Sequence, residues 1–213
     1  MPLKSKLIIL LVAFTLVPLV LAGAFAFSRA RNILETVRIA QLNSIADLKK
    51  DKIETFFNER MSGMRSAQHF LNVRKNLPLL SSGTGAAKAA ALRELDGQLK
   101  SFQTAFGYLN VMLTDRQGRV VYVSNKKHRQ EDLSNFFPDR RAFKEGGKGI
   151  YFTDVFAGGI TDAGFKMFSV APIQGLTGEF VGEIVFEIDM GPIYQFIRDS
   201  TGLGETGEAL IVK

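Results

Sequence analysis

The sequence predicts an α+β protein: an N-terminal transmembrane helix, a long stalk helix, then a five-stranded antiparallel sheet with flanking helices. Three observations predict it. The run LIILLVAFTLVPLVLAGAFAF, Leu7 to Phe27, carries no charge. From Ser28 to about Lys75 there is no proline and a single glycine, Gly63, and apolar residues recur at steps of three and four, which is helical spacing. Beyond Leu109 the apolar period drops to two, with Gly- and Asp-containing turns between short runs, which is strand spacing.

The uncharged run has about 21 residues, enough at ~1.5 Å per residue to cross a hydrocarbon core of about 30 Å. Residues 1–6 form a short tail before it. Lys4 and Lys6 precede the run and Arg29 and Arg31 follow it, so flanking charge does not set its orientation. A cleaved signal peptide is the alternative, because Ala22-Gly23-Ala24 and Ala24-Phe25-Ala26 are small-residue patterns. The apolar core is, however, longer than the ~7–15 residues of a signal sequence. Residues 28–75 then read as one stalk helix, with Ile33, Val37, Ala40, Ile53, Phe56, Phe57, Met64, Ala67 and Leu71 along it. A break near Gly63 is the alternative. A second helix, from about Ala86 to Phe106, should lie antiparallel to the stalk.

LNVMLT (109–114) and RVVYVS (119–124) flank DRQG and predict a hairpin. Residues 125–149 are polar, with a short helix expected around Asp139 to Lys144. Strands follow at 150–156, 165–172 and 180–188, and a short helix at 192–200. In the last strand Phe180, Gly182, Ile184, Phe186 and Ile188 share one face, and Val181, Glu183, Val185 and Glu187 the other. TGLGETGE (201–208) contains a literal GxGxxG. A dinucleotide loop needs the order strand, glycines, helix; here the order is helix, glycines, then ALIVK, which reads as a strand. Gly202 is expected as a helix C-cap and the others as turn residues.

Composition narrows the chemistry. The chain has no cysteine, which excludes disulfides, thiolate metal sites and cysteine nucleophiles. Its net charge is +6, but the basic residues are interleaved with acids rather than gathered into a stripe, so nucleic acid is not an expected partner. His69 and His128 lack metal-ligand spacing and are expected on the surface or stalk. No catalytic constellation is visible, and no cofactor or metal is expected.

LKKDKIETFFNER (48–60), DRQGRVVYVSNK (115–126) and APIQGLTGEFVGEIVFEIDMGPI (171–193) followed by GLGETGE (202–208) resemble, in that order, the stalk helix, first hairpin and last strands of the double Cache sensor region of bacterial transmembrane receptors. The resemblance implies a PAS-like module held outside the cytoplasm, at the inner membrane on the periplasmic side. It implies residues 76–200 as a membrane-distal Cache module and 201–213 as the start of a second, proximal module. It also implies a homodimer through the stalk and an output of sensor histidine kinase type or, alternatively, chemotaxis type. A structural, ligand-free pairing module is the alternative from another class. The chain ends at Lys213, inside what the resemblance makes the first strand of the proximal module, which suggests a fragment or a truncated product.

The basic cluster Lys126, Lys127, Arg129, Arg140, Arg141, Lys144 and Lys148 would hang over the sheet as a cap. Guanidinium groups there could grip a carboxylate bidentately. In amino-acid-binding Cache modules an Arg followed by an aromatic residue lies in this cap, and an Asp follows the last strand. PDRRAF (138–143) and EIDM (187–190) resemble these. The candidate ligand site is therefore Arg140, Arg141, Phe143, Tyr151, Asp154 and Asp189, for a small molecule such as an amino acid or a carboxylate.

Overall fold

The computed structural model describes residues 3–128, 132–158 and 164–203. Arg129 and Glu131 of the cap cluster, the centre of the glycine-rich turn at 157–164, and the expected strand ALIVK lie outside the described residues. The chain divides into two compact units, one of Met1–Asp51 with Ser200–Lys213, the other of Lys52–Asp199.

In the first unit the chain is helical from its first described residue; this helix, α1, runs Leu3–Gln68 with Pro18 inside it. Leu10, Leu11, Phe14, Leu19 and Phe25 are all exposed, and the most apolar stretch has none of its residues buried within the protein. A helix that is apolar all round and covered by nothing in its own chain has the character of a lipid-facing span. Further along, Gln41 Nε2 donates to the Gly202 carbonyl at 3.2 Å. Gly202 has φ +84°, and Leu203 N–H donates to Ser200 O at 2.9 Å. It is thus the third residue of a tight turn that needs positive φ, not the expected helix cap.

The second unit begins within the expected stalk. Met64 and Ala67 of α1 are fully buried in the main core, with Phe56 and Phe57 packed against it. The helix passes Gly63 without a break. Gly63 instead makes room for a ring: a Cβ there would stand 2.8 Å from the Tyr108 hydroxyl. The break falls at His69–Phe70, where Phe70 turns extended at ψ 115°. The single helix expected over 28–75 is therefore two, and α2 spans Leu71–Ser82. It buries Val73, Leu77 and Leu80. A third helix, α3, Gly85–Phe106, buries Ala91, Leu95, Leu99 and Phe102 and ends at Gly107 in the left-handed region. The principal helical partner of α3 is α2 rather than the stalk.

The sheet has six strands, β1 Asn110–Thr114, β2 Val120–Val123, β3 Tyr151–Phe152, β4 Phe156–Ala157, β5 Phe165–Gln174 and β6 Phe180–Asp189. Their order is β2-β1-β6-β5-β3, with β4 also on β5, and every pairing is antiparallel. The expected strand at 150–156 is two short strands, β3 and β4, which is why there are six and not five. The β1–β2 hairpin is closed by Asp115, whose Oδ1 accepts from the N–H groups of Gln117 at 2.9 Å and Arg119 at 2.8 Å, an Asx turn.

Strand alternation gives the sheet two unlike faces. Val111, Leu113, Met167, Ala171, Ile173, Ile184, Phe186 and Ile188 join α1, α2 and α3 in the main core. Met112, Val170 and Val185 belong to a smaller core with Phe137 and Ala142, beneath α4, Arg140–Gly146. The last helix, α5, Gly191–Arg198, follows β6 directly.

Candidate functional site

α4 starts where the sequence says a helix can start. Asp139 takes an extended conformation and its side chain accepts from Ala142 N–H at 2.8 Å, an N-cap that satisfies one orphan donor of the first turn. The apolar face of the helix is Ala142, fully buried, with Phe143 packed beside it. Arg140 and Arg141 are left on the exposed side. The Arg140 guanidinium lies 4.5 Å from the ring centre of Phe136, over which Arg119 also lies at 4.6 Å. Stacking on a ring uses the face of a guanidinium and leaves the in-plane donors of its edge for a carboxylate.

Opposite these arginines the chain leaves β3. Tyr151 pairs with Val170 across the sheet. Thr153 exchanges two hydrogen bonds with β5, N–H to Phe168 O at 2.9 Å and Oγ1 from Phe168 N–H at 3.0 Å. That exchange places Asp154 at the rim. The result is an open concavity of about 520 Å³ lined by Pro138, Asp139, Arg140, Arg141, Tyr151, Thr153, Asp154, Val155, Phe156 and Phe168. Its aromatic side is fixed by ring contacts, Phe168 to Phe156 at 4.8 Å and Phe168 to Phe137 at 5.1 Å.

The structure therefore brings together four of the six expected residues: Arg140, Arg141, Tyr151 and Asp154. Phe143 and Asp189 are not among the lining residues. Phe143 faces the smaller core and the Gly118 turn, its ring 3.3 Å from where a Gly118 Cβ would be. Asp189 Oδ1 accepts from Gly191 N–H at 2.8 Å, holding the entry to α5. His69 is exposed as expected, whereas His128 is buried, with 8% of its surface accessible.

The sequence reading missed a buried polar layer on the same face of the sheet. Lys166 and Glu187 form an ion pair, Nζ to Oε1 2.7 Å, with side chains only 5% and 7% exposed. Asn110 is fully buried; its Oδ1 accepts from Ser124 Oγ and from Asn125 N–H, both at 3.1 Å. Glu183 is also fully buried, and neither carboxyl oxygen has a hydrogen-bond partner among the described residues. Burial pushes its carboxyl up to about 8, since a low-dielectric site disfavours the charged form. The available signal was the alternation of Glu183, Val185 and Glu187, which marks a face without saying what covers it.

Chemically, two guanidinium groups, a phenol and a carboxylate around an aromatic floor suit a small molecule bearing a carboxylate and, at its other end, an amine. Among the described residues no cluster of three or more His, Cys, Asp or Glu side chains is placed to hold a metal ion.

No protein-family model and no curated protein matches the chain. Solved structures do. The sensory domain of the Campylobacter jejuni chemoreceptor Tlp3 (CcmL) aligns with a TM-score of 0.61 at 16% identity, over 78% of this chain and 65% of that one. The V. cholerae histidine kinase DctB sensor domain aligns with a TM-score of 0.52 at 20% identity, over 71% of this chain and 57% of that one. The ligand-binding domain of the Pseudomonas aeruginosa PAO1 amino acid chemoreceptor PctC, solved with GABA, aligns with a TM-score of 0.51 at 16% identity, over 76% and 66%. The chain spans less than two thirds of the length of the first of these. At such identities the likeness is one of fold: this chain shares the α+β architecture of these sensory and ligand-binding domains.

Proposed function

We propose that this chain is the sensor part of a bacterial transmembrane signalling receptor. Residues 7–27 anchor it in the inner membrane, the helix beyond them is the stalk, and the module that follows senses a small molecule on the periplasmic side. Residues 201–213 open a second, proximal module. The observation that carries the reading is the concavity in which Arg140 and Arg141 of α4 face Tyr151 and Asp154 of the sheet side. The arginines take the ligand carboxylate, Tyr151 hydrogen-bonds it, and Asp154 takes an amine. Asp189, at the end of β6, acts from outside the concavity by holding the start of α5. The ligand class is an amino acid or a small carboxylic acid; Tlp3 has been solved with isoleucine and PctC with GABA. The output we propose is a histidine kinase, and the chemoreceptors among the structural neighbours favour chemotaxis as the second reading. The exposed apolar residues of the stalk, Ile33, Leu34 and Val37, pair with those of a second copy.

The test is a thermal-shift screen of the full chain in detergent against amino acids and small carboxylic acids. Binding to the folded state alone stabilises it by about 2.7 kcal/mol at a hundredfold excess over Kd. A shift for one chemical class, lost in Arg140→Ala or Arg141→Ala, supports the site. No shift across the whole panel favours the ligand-free pairing module.

A further inference from the structure

One buried group under α4 has no role in the ligand site. Glu183, on β6, is fully inaccessible and both its carboxyl oxygens lack partners among the described residues. Its backbone is well held: Glu183 N–H donates to Thr114 Oγ1 at 3.2 Å, and the strand pairs with Thr114 on β1 and Pro172 on β5. What covers the carboxyl is the C-terminal end of α4. A Cβ at Gly146 would lie 2.3 Å from Val170 Cγ1 and 3.4 Å from Glu183 Oε1. A Cβ at Gly147 would lie 3.3 Å from the same oxygen and 3.6 Å from the Phe143 carbonyl. The two consecutive glycines let the helix end close onto the sheet directly above the acid.

Among the described residues the surroundings of the carboxyl supply no positive charge. β1 contributes Thr114 and β5 contributes Val170 and Pro172. In the hairpin, Asp115 is committed to the turn amides. On α4, Glu145 pairs with Lys148 at 2.8 Å in solvent, and Arg140, Arg141 and Lys144 are exposed. Further along β6, Glu187 is paired with Lys166. Desolvation is the sole cause of the raised carboxyl value. The partial negative charge at a helix C-terminus also disfavours a carboxylate.

We propose that Glu183 is a proton-operated latch for α4: the neutral acid lets the helix end seat on β5 and β6, and loss of the proton releases it. The released segment carries Arg140 and Arg141, so proton loss also removes the cationic wall of the concavity. Only this last consequence rests on the ligand reading; the latch itself does not.

The direction follows from linkage. The value for the closed state lies above the ordinary carboxyl value of 4.5. The closed state is therefore favoured fully below about 4.5, is weakened progressively as pH rises to about 8, and changes no further above that. Hydrogen exchange of the full chain in detergent reads this without any ligand, each rate being divided by the intrinsic rate at that pH. Opening of α4, read at the Phe143 and Gly147 amides bonded to Asp139 and Phe143 carbonyls, should rise by up to about tenfold per pH unit and level off near pH 8. Glu183→Gln, a neutral isostere, should make it flat. A flat parent, or a Gln variant that rises with the parent, overturns the latch. If the Gln variant does not fold, the ¹³C titration of the Glu183 carboxyl in the parent decides. A midpoint near 8 supports the latch and one near 4.5 overturns it. Because no ligand is added, failure here leaves the proposed site standing, and a failed ligand screen leaves the latch standing.

Discussion

The two faces of the sheet are made from the same strands by alternate residues, yet they hold different chemistry. Toward α1, α2 and α3 the buried side chains are apolar apart from Ser169, and aromatic rings bind the layer together. Phe186 meets Tyr108 at 4.4 Å and Phe102 at 5.4 Å, and Phe102 meets Phe70 at 5.3 Å. Toward α4, Met112, Val170 and Val185 are interleaved with Asn110, Thr114, Lys166, Glu183 and Glu187, all buried. A face built for stability alone has no need of such residues, because each buried polar group must be paired or kept neutral. The helix face is a core; the other is a core compromised by polar groups, and it is the face that carries the concavity.

That contrast can be broken most strongly on the helix face. Phe186→Ala removes a fully buried ring and should cost about 3–5 kcal/mol, read as a lower denaturant midpoint with little change in slope. On the opposite face the sign depends on how the cut is made. Lys166→Met alone strands Glu187 in a buried site and should cost on the order of 3 kcal/mol. Lys166→Met with Glu187→Leu removes both charges and should recover most of that loss, leaving a module of near-parent stability. If the double variant is no better than the single, the pair contributes more than mutual neutralisation and the contrast between the faces is overstated. A smaller effect is expected at the edge of the same face. Asp139→Ala deletes the cap of α4 and should cost about 1 kcal/mol, visible as faster exchange over 140–147 with the β5–β6 ladder unaffected.

Much of this was legible in the sequence, and what was not has physical reasons. The alternation from Gly182 to Ile188 identified β6 and its two faces, whereas Val181, expected beside Glu183 and Val185, packs into the main core where the β5–β6 register shifts. The arginines of PDRRAF were placed in the cap by the basic cluster around them and by resemblance. The break at His69–Phe70 was invisible because neither residue is a helix breaker. Phe70 leaves the helix where its ring packs edge-on against Phe102, a contact made across more than thirty residues of chain. Gly63 misled for the converse reason: its small size serves a tertiary contact with Tyr108, not a local bend. The split of 150–156 into β3 and β4 follows from Thr153, whose hydroxyl takes a β5 amide from within the gap. In the site, Asp154 was expected inside a strand over 150–156; the gap between β3 and β4 leaves it at the rim instead. Phe143 and Asp189 were carried in by resemblance, and the structure gives each a local packing or capping task. The buried layer of Asn110, Lys166, Glu183 and Glu187 was out of reach, since nothing in a strand pattern states that a polar face will be covered.

The central claim is that the polar face binds a small carboxylate-bearing molecule through α4. The most direct measurement is calorimetric titration of the full chain, in detergent, with the strongest compound from the thermal-shift screen. Parent, Arg140→Ala, Arg141→Ala and Asp154→Ala would be compared, with the exposed stalk variant Arg38→Ala as a control. Losing a charge-assisted contact of about 1.5–3 kcal/mol should weaken binding by roughly tenfold or more in at least one arginine variant. Asp154→Ala should weaken only ligands that carry an amine, and the control should match the parent. Equal affinity across all the site variants would contradict the account and place the ligand elsewhere in the protein.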